Sequence, residues 1–424
     1  MNQNLFINRR LKLMKQIEDV SLVVLFSLEA PHKTADQFYP YEINRNFYYL
    51  TGLKRSNFTL VLQKDGTRFL EYLFIEEPSD YATKWLGRRM TKEEASDISG
   101  IAIQSIYYLE QFESLMHQQI LSGQRKALVK APKTLFIDLL RPRPFDIPAA
   151  LQKITKIRES YPELAIKNIN ELIDSMRMIK DEDEIEEIKN AIAYSKVAIE
   201  AIMSTATPGI NERALVAIYE YALKSHGSEG NSFNPICAAG ARATTLHYED
   251  NDQVAEDGDL VLIDMGALSG PYASDISRTF PVNGKFSDRQ RQLYDCVLSV
   301  NKACIEFVKP GILMSELNAY ARNLLTEKAV ALGLIKSPEE IGRYYYHNVS
   351  HYLGLDVHDV GNYLTPLKPG IVLTIEPGIY VEEEKIGIRI EDNVLVTENG
   401  SINLSSSIIK EIEDIEAFMA KQAI

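Results

Sequence analysis

The 424-residue sequence predicts a mixed α/β (α+β) protein of two domains, residues 1–170 and 171–424. Three observations lead there. The length exceeds what one hydrophobic core usually serves, while the composition, 45% hydrophobic and 25% charged, is that of an ordinary globular chain. In the first part, apolar runs rich in β-formers alternate with helical patterns. Around residues 167–173 that pattern gives way to a long amphipathic segment beginning at Lys180.

Taken in order, the runs 21–27, 58–63, 69–75 and 127–131 read as strands. The first follows Glu18 and Asp19 and precedes no small-residue cleavage site, so it reads as a buried strand rather than a signal segment. Thr91 with Glu94 three residues on predicts a capping box that opens a helix. A charged amphipathic stretch covers 146–159. Beyond the boundary, KDEDEIEEIKNAIAYSKVAIEAIM brings Ile185, Ile188, Ile192, Ala198, Ile199 and Ile202 near helical spacing and stops before Pro208 and Gly209. Its acidic start suits a helix N-terminus, and equally a solvated face. Helical stretches at 212–225, 288–307 and 314–332 follow, separated by strand-like segments.

Charge and cysteine usage narrow the function. The 46 basic and 59 acidic residues give a net charge of −13, which repels nucleic acid. Cys237, Cys296 and Cys304 are odd in number and have no CxxC spacing, so neither a disulfide framework nor a zinc knuckle is expected. A reducing, cytoplasmic setting fits. No apolar run approaches the roughly 18 residues that a membrane-spanning helix needs.

The strands of the second half carry acids where core strands should not. In GDLVLIDMGALSGPYASDISRTFPV, a hairpin centred between Ser269 and Gly270 sets Asp264 opposite Asp275. In IVLTIEPGIYVEEEKIGIRIEDNVLV, a centre between Glu383 and Glu384 sets Glu376 opposite Glu391. Opposed like charges destabilise a strand pair, and burying several carboxylates costs many kcal/mol. These acids must be protonated, paired with bases or bound to cations; two divalent ions would offset four carboxylates.

Histidine usage points the same way. His347, His351 and His358 crowd into YYYHNVSHYLGLDVHDVG and His247 lies in TTLHYEDND, whereas His32, His117 and His226 read as ordinary structural residues. An imidazole with carboxylates suits Mn²⁺, Co²⁺, Fe²⁺ or Zn²⁺, with oxygen dominance favouring the harder ions. Two such ions support hydrolysis by activating water and polarising a carbonyl. Arg389, two residues before Glu391 and on the same strand face, could neutralise excess charge, hold a substrate carbonyl or form a plain salt bridge.

The segments LHYEDND, LVLIDMG, SDISRTFPVNGKF, HNVSHYLGLDVHDVG, LTIEPGIY and GIRIEDN resemble the pita-bread metallopeptidases, and within them the aminopeptidase P branch. The resemblance is continuous from about Met176 and extends into the first half through FYPYEINRNFYYLTGL and KWLGRRM. It implies a creatinase/aminopeptidase P-like amino-terminal domain, serving oligomerisation and substrate access, followed by a pita-bread catalytic domain. It implies that Asp264 binds one metal, that Asp275 and Glu391 bridge, and that His351 and Glu376 bind the other, the usual metal being Mn²⁺. It further implies hydrolysis of the Xaa-Pro bond at a peptide's amino terminus by a bridging hydroxide, with Glu376 handling the proton.

By the same resemblance His247, His347 and His358 line the cleft, and Phe233 and Val357 fall where the family builds its apolar substrate pocket. Phe233 departs from the family, where that position is often tyrosine. Trp85, in KWLGRR, matches a region that approaches a neighbour's active site in oligomeric bacterial members, so a homodimer or homotetramer is expected. Prolidase, which cleaves only dipeptides ending in proline, shares the metal set and is the alternative. A pita-bread binding module without metals is a third reading, against which the five ligand-type residues argue.

Overall fold

The structure, a computed structural model, describes residues 2–117 and 130–422. The chain divides into two compact units, Met1–Met176 and Arg177–Ile424.

The first unit is built on a six-stranded mixed sheet. Ser21–Phe26 lies at its centre, antiparallel to Thr59–Asp65 and parallel to Thr134–Ile137, and is buried along its whole length. Leu22, Val24 and Phe26 project to one side, where they join Val61, Phe74, Leu135 and Ile137 in a common core. That is why this run is uniformly apolar. Arg68–Ile75, Ile106–Tyr108 and Ala165–Asn168 complete the sheet. The strand expected over 127–131 falls mostly outside the described residues. Thr91 and Glu94 form the reciprocal capping box at the start of helix Lys92–Ser99. The charged amphipathic stretch over 146–159 forms two short helices, Ala149–Lys153 and Thr155–Ser160, separated by a turn at the fully buried Ile154.

The second unit combines short antiparallel sheet segments with helices Glu182–Thr205, Glu212–Ser225, Asp288–Phe307 and Met314–Ala331. Asp181 and Glu184 open the long first helix with a capping box. One sheet orders Ile236–Ala239, Leu260–Met265 and Ile276–Pro281 with the middle strand at the centre. Another orders Val372–Ile375, Asp392–Thr397 and Gly400–Asn403, and Gly378–Val381 pairs with Ile386–Arg389.

The two acidic hairpins behave differently. In the second, Ile375 pairs with Asp392 and Gly378 with Arg389, so Glu376 and Glu391 sit on the register line between them, as the spacing implies. In the first, Asp264 pairs with Ser277 rather than Asp275. The turn closes on Gly270 and Pro271, one residue later than expected, with Gly270 at φ +54°, which suits glycine at the first central position of a tight hairpin. The resulting two-residue register change keeps Asp264 and Asp275 on one face because side chains alternate with period two.

That alternation also places bases. Arg278, next to Ser277, points to the opposite side and is fully buried. Its guanidinium donates to Asp392 Oδ1 at 2.9 Å and to the carbonyls of Glu391, Ile408 and Ile409, and Lys410 Nζ lies 2.5 Å from Asp392 Oδ2. Asp392 therefore stays ionised: burial would raise its pKa, but Arg278 and Lys410 hold it below the usual range. Asp392→Ala would leave Arg278 buried without its carboxylate and should cost about 3–5 kcal/mol, read as a lower denaturant midpoint. Because the folded pKa is depressed, the contribution is complete above about pH 4 and fades as acid protonates the group. Stability curves of Asp392→Asn and the parent should therefore converge on acidification.

Candidate metal centre

Strand alternation delivers acids to one cavity of about 340 Å³ in the second unit. Asp264 comes from Leu260–Met265, and Asp275 stands immediately before Ile276–Pro281. Glu376 follows Val372–Ile375, and Glu391 lies between Ile386–Arg389 and Asp392–Thr397. His351 is held in place by its backbone: its N–H donates to Thr374 Oγ1 at 3.1 Å and its carbonyl accepts from Thr374 N at 2.9 Å. All five line the cavity, together with His247, His347, His358 and Arg389.

The donor atoms converge. Asp275, His351 and Glu391 each offer one ligand atom, all within 4.8 Å of one another. His351 Nε2 is 3.3 Å from Asp275 Oδ2 and 3.5 Å from Glu376 Oε1. Its Nδ1 faces the Tyr352 carbonyl at 3.0 Å, which can only accept, so the proton resides on Nδ1 in the neutral ring and Nε2 presents a lone pair to the acids. Ser277 Oγ lies 2.9 Å from Asp264 Oδ1 and 2.8 Å from Glu391 Oε2 and ties the two carboxylates together.

Among the described residues one guanidinium bonds this acid cluster directly. Arg389 donates from Nη2 to Asp264 Oδ2 at 2.8 Å, from Nε to Ser277 Oγ at 2.8 Å and from Nη1 to Tyr380 Oη at 3.0 Å. Of the roles open to Arg389, the salt bridge to an acid is formed. Tyr380 Oη lies 2.9 Å from His347 Nε2, and His347 Nδ1 lies 2.7 Å from the Asn348 carbonyl. The chain therefore runs from Arg389 through the tyrosine hydroxyl to a neutral imidazole. His358 stacks on His351, with ring centroids 3.9 Å apart and planes 17° from parallel.

Electrostatics separate the acids. Burial works against ionised Asp264, but Arg389 more than offsets it and holds the carboxyl below the usual range. Burial, reinforced by Asp264, pushes Asp275 up to about 6. Burial lifts Glu376 to about 7 against the pull of His351 and Arg389, and lifts Glu391 well above the carboxylate range with help from its three acidic neighbours. Burial disfavours the His351 cation, yet its bond to Asp275 wins and raises it to about 9; His347 falls to about 4 through burial and the charge of Arg389. Asp275 Oδ1 and Glu391 Oε1 are buried without any hydrogen-bond partner. Two orphaned carboxylate oxygens beside His351 Nε2, which becomes a ligand on losing its proton, make a donor set that fits a divalent cation.

Comparison with known proteins accords with this chemistry. Residues 186–398 match the family model described as metallopeptidase family M24, and 6–129 match the aminopeptidase P, N-terminal domain. The chain is a member of metallopeptidase family M24, of the aminopeptidase P type. Over 98% of its length this M24 chain is 33% identical to Xaa-Pro aminopeptidase of Escherichia coli, covering 97% of that protein. A Bacillus anthracis structure described as a candidate aminopeptidase P is 43% identical at a TM-score of 0.95, with 100% of this chain and 99% of that one covered. Zinc-substituted E. coli aminopeptidase P in complex with product is 31% identical at a TM-score of 0.89, with the same coverage. The second unit accordingly has the M24 pita-bread fold, and the first the aminopeptidase P amino-terminal fold.

Phe233 and Val357, expected in an apolar substrate pocket, are half-buried and are not among the residues that line this cavity. Trp85 belongs to the first unit, on the short helix Asp80–Leu86, and is 73% exposed. Sequence reasoning missed Ser277, Thr374 and Tyr380. The first two carry a readable signal, since Ser277 follows Asp275 by two and Thr374 precedes Glu376 by two, which is the spacing that singled out Arg389. Tyr380 reaches Arg389 and His347 only through tertiary packing.

The orphaned Glu391 carboxyl sets a test. Glu391→Gln removes a buried acid that the bare protein accommodates only by taking up a proton, so the metal-stripped variant should melt above the metal-stripped parent at neutral pH. Addition of Mn²⁺ should raise the melting temperature of the parent and not of the variant, because binding to the native state alone stabilises it. Calorimetric scans of both proteins with and without the ion decide it.

Proposed function

We propose that the protein is a metalloaminopeptidase that hydrolyses the Xaa-Pro bond at the amino terminus of peptides. The observation that carries this reading is the cavity: four carboxylates and His351 Nε2 face one space with the Arg389 guanidinium beside them, in a chain of the aminopeptidase P type. In this reading Asp264, Asp275, His351, Glu376 and Glu391 would together hold two divalent ions. The oxygen-rich set favours Mn²⁺ over softer ions, with Co²⁺, Fe²⁺ and Zn²⁺ as substitutes. Two such ions, when bound, supply Lewis acidity that activates a water and polarises the scissile carbonyl.

The chain's own residues do the rest. Glu376 takes a proton from the attacking water and delivers it to the proline nitrogen as the C–N bond breaks; its Oε2 lies 3.8 Å from His347 Nδ1. Neutral imidazoles suit hydrogen bonding to substrate carbonyls, and a bond to proline has no N–H to offer, so recognition must use carbonyl oxygens and ring shape. His347 is kept neutral by burial and Arg389, and His358 is shifted the same way by burial and by His351. His247 faces the same space.

Homo-oligomerisation, as a dimer or tetramer, and substrate access are assigned to residues 1–170. Support comes from Tyr81, Trp85 and Leu86, each more than 70% exposed on one short helix, an unfavourable display for a monomer. The three cysteines are free and buried, and no helix among the described residues is long and apolar enough to cross a membrane; a cytoplasmic location is proposed with them.

Two measurements test the reading. The Mn²⁺-loaded protein should release the first residue from a tripeptide Xaa-Pro-Yaa; turnover of the dipeptide Xaa-Pro alone would make it a prolidase. His351→Ala should lower the metal content found by elemental analysis while far-ultraviolet circular dichroism stays that of the parent. Unchanged metal content would remove His351 from the ligand set.

A further inference from the structure

His247 sits in an exposed turn after the 3₁₀ segment Gly240–Thr244, yet it lines a cavity whose other walls come from sheet strands and buried loops. Something must hold that turn. Glu212, the first residue of helix Glu212–Ser225, is fully buried. Its Oε1 accepts from Ala239 N at 2.8 Å and Arg242 Nε at 3.3 Å. Its Oε2 accepts from Tyr248 Oη at 2.9 Å and Gln253 N at 2.9 Å.

A carboxylate at a helix N-terminus ordinarily serves the helix's own unpaired N–H groups. None of these four donors belongs to the helix. They come from both ends of the segment 239–253 and from Tyr248, the residue after His247. The helix adds to the closure: Glu212 N donates to Gln253 O at 2.9 Å, and Asn211 Nδ2 to Asp252 O at 3.0 Å. On its other side the 3₁₀ segment packs against the strand that carries Arg389, where Gly387 lies so close to the Ala243 carbonyl that no Cβ fits. A side chain buried with four hydrogen bonds is an expensive group to leave unpaired.

We infer that Glu212 is a positioning residue for His247: its carboxylate ties the two ends of the loop together and, through Tyr248, fixes where the imidazole enters the cleft. The consequence for catalysis rests on the function proposed above, whereas the clamp itself does not. A displaced side chain of this kind costs rate without direct contact to substrate.

The test uses the full-length Mn²⁺-loaded protein and the variants Glu212→Gln, Tyr248→Phe, His247→Ala and Glu212→Gln/His247→Ala. Hydrogen–deuterium exchange should quicken in 240–252 in Glu212→Gln, with melting temperature within a few degrees and metal content equal to the parent. Its kcat/KM on Xaa-Pro-Yaa should fall about tenfold, chiefly in kcat. The double variant should be no slower than His247→Ala. Tyr248→Phe, which removes one hydroxyl, should show the same changes in smaller degree and serves in place of Glu212→Gln if that variant does not fold. Unchanged exchange in 240–252 overturns the clamp whatever the activity. Multiplied losses in the double variant overturn action through His247. Absence of Xaa-Pro hydrolysis in the parent would defeat the proposed function and leave the exchange result to decide the clamp.

Discussion

Negative charge held out of water is the constraint around which the second unit is organised. Glu391 and Asp392 are neighbours in the chain and both are buried, yet alternation sends them to opposite sides of one strand. Asp392 meets Arg278 and Lys410 and stays ionised at little cost. Glu391 meets Asp264, Asp275 and Glu376, retains an oxygen with no partner, and can relieve the repulsion in the bare protein only by holding a proton. The same fold thus contains an acid matched for stability and an acid left unmatched, and only the second makes sense as part of a site that receives cations.

The surrounding polar groups follow from that division. Arg389 gives its charge to Asp264, ties in Ser277 and reaches Tyr380, which in turn addresses His347. It leaves Asp275, Glu376 and Glu391 with raised pKa values, so uptake of divalent ions should release protons. Second-layer hydrogen bonds orient the rest: the Tyr352 carbonyl selects the His351 tautomer, and Thr374 pins the His351 backbone.

Much of this is written in local sequence. Alternation and turn spacing set Glu376 and Glu391 on one register line because the acidic turn between them is symmetric and the ladders on either side of the two acids keep the same register. The first hairpin was one residue harder to centre, since Gly270 with its positive φ, rather than Ser269, opens the turn. Parity survives that shift, which is why Asp264 and Asp275 still share a cavity. The helix start at Thr91 is legible through capping chemistry and that of the long helix Glu182–Thr205 through its acidic first turn, whereas no such local signal marks the turn at the buried Ile154. Tyr380 and Glu212 were invisible for the same reason: their partners lie far away in sequence.

The central claim is that the unmatched acids are there to hold two divalent ions. The direct measurement is anomalous diffraction from crystals grown with Mn²⁺, recorded on either side of the manganese edge. The account predicts two peaks per chain, one beside Asp264 and one beside His351 and Glu376, with Asp275 and Glu391 between them. Crystals with the metal present but no anomalous density in this cavity, or with manganese bound only elsewhere, would contradict it.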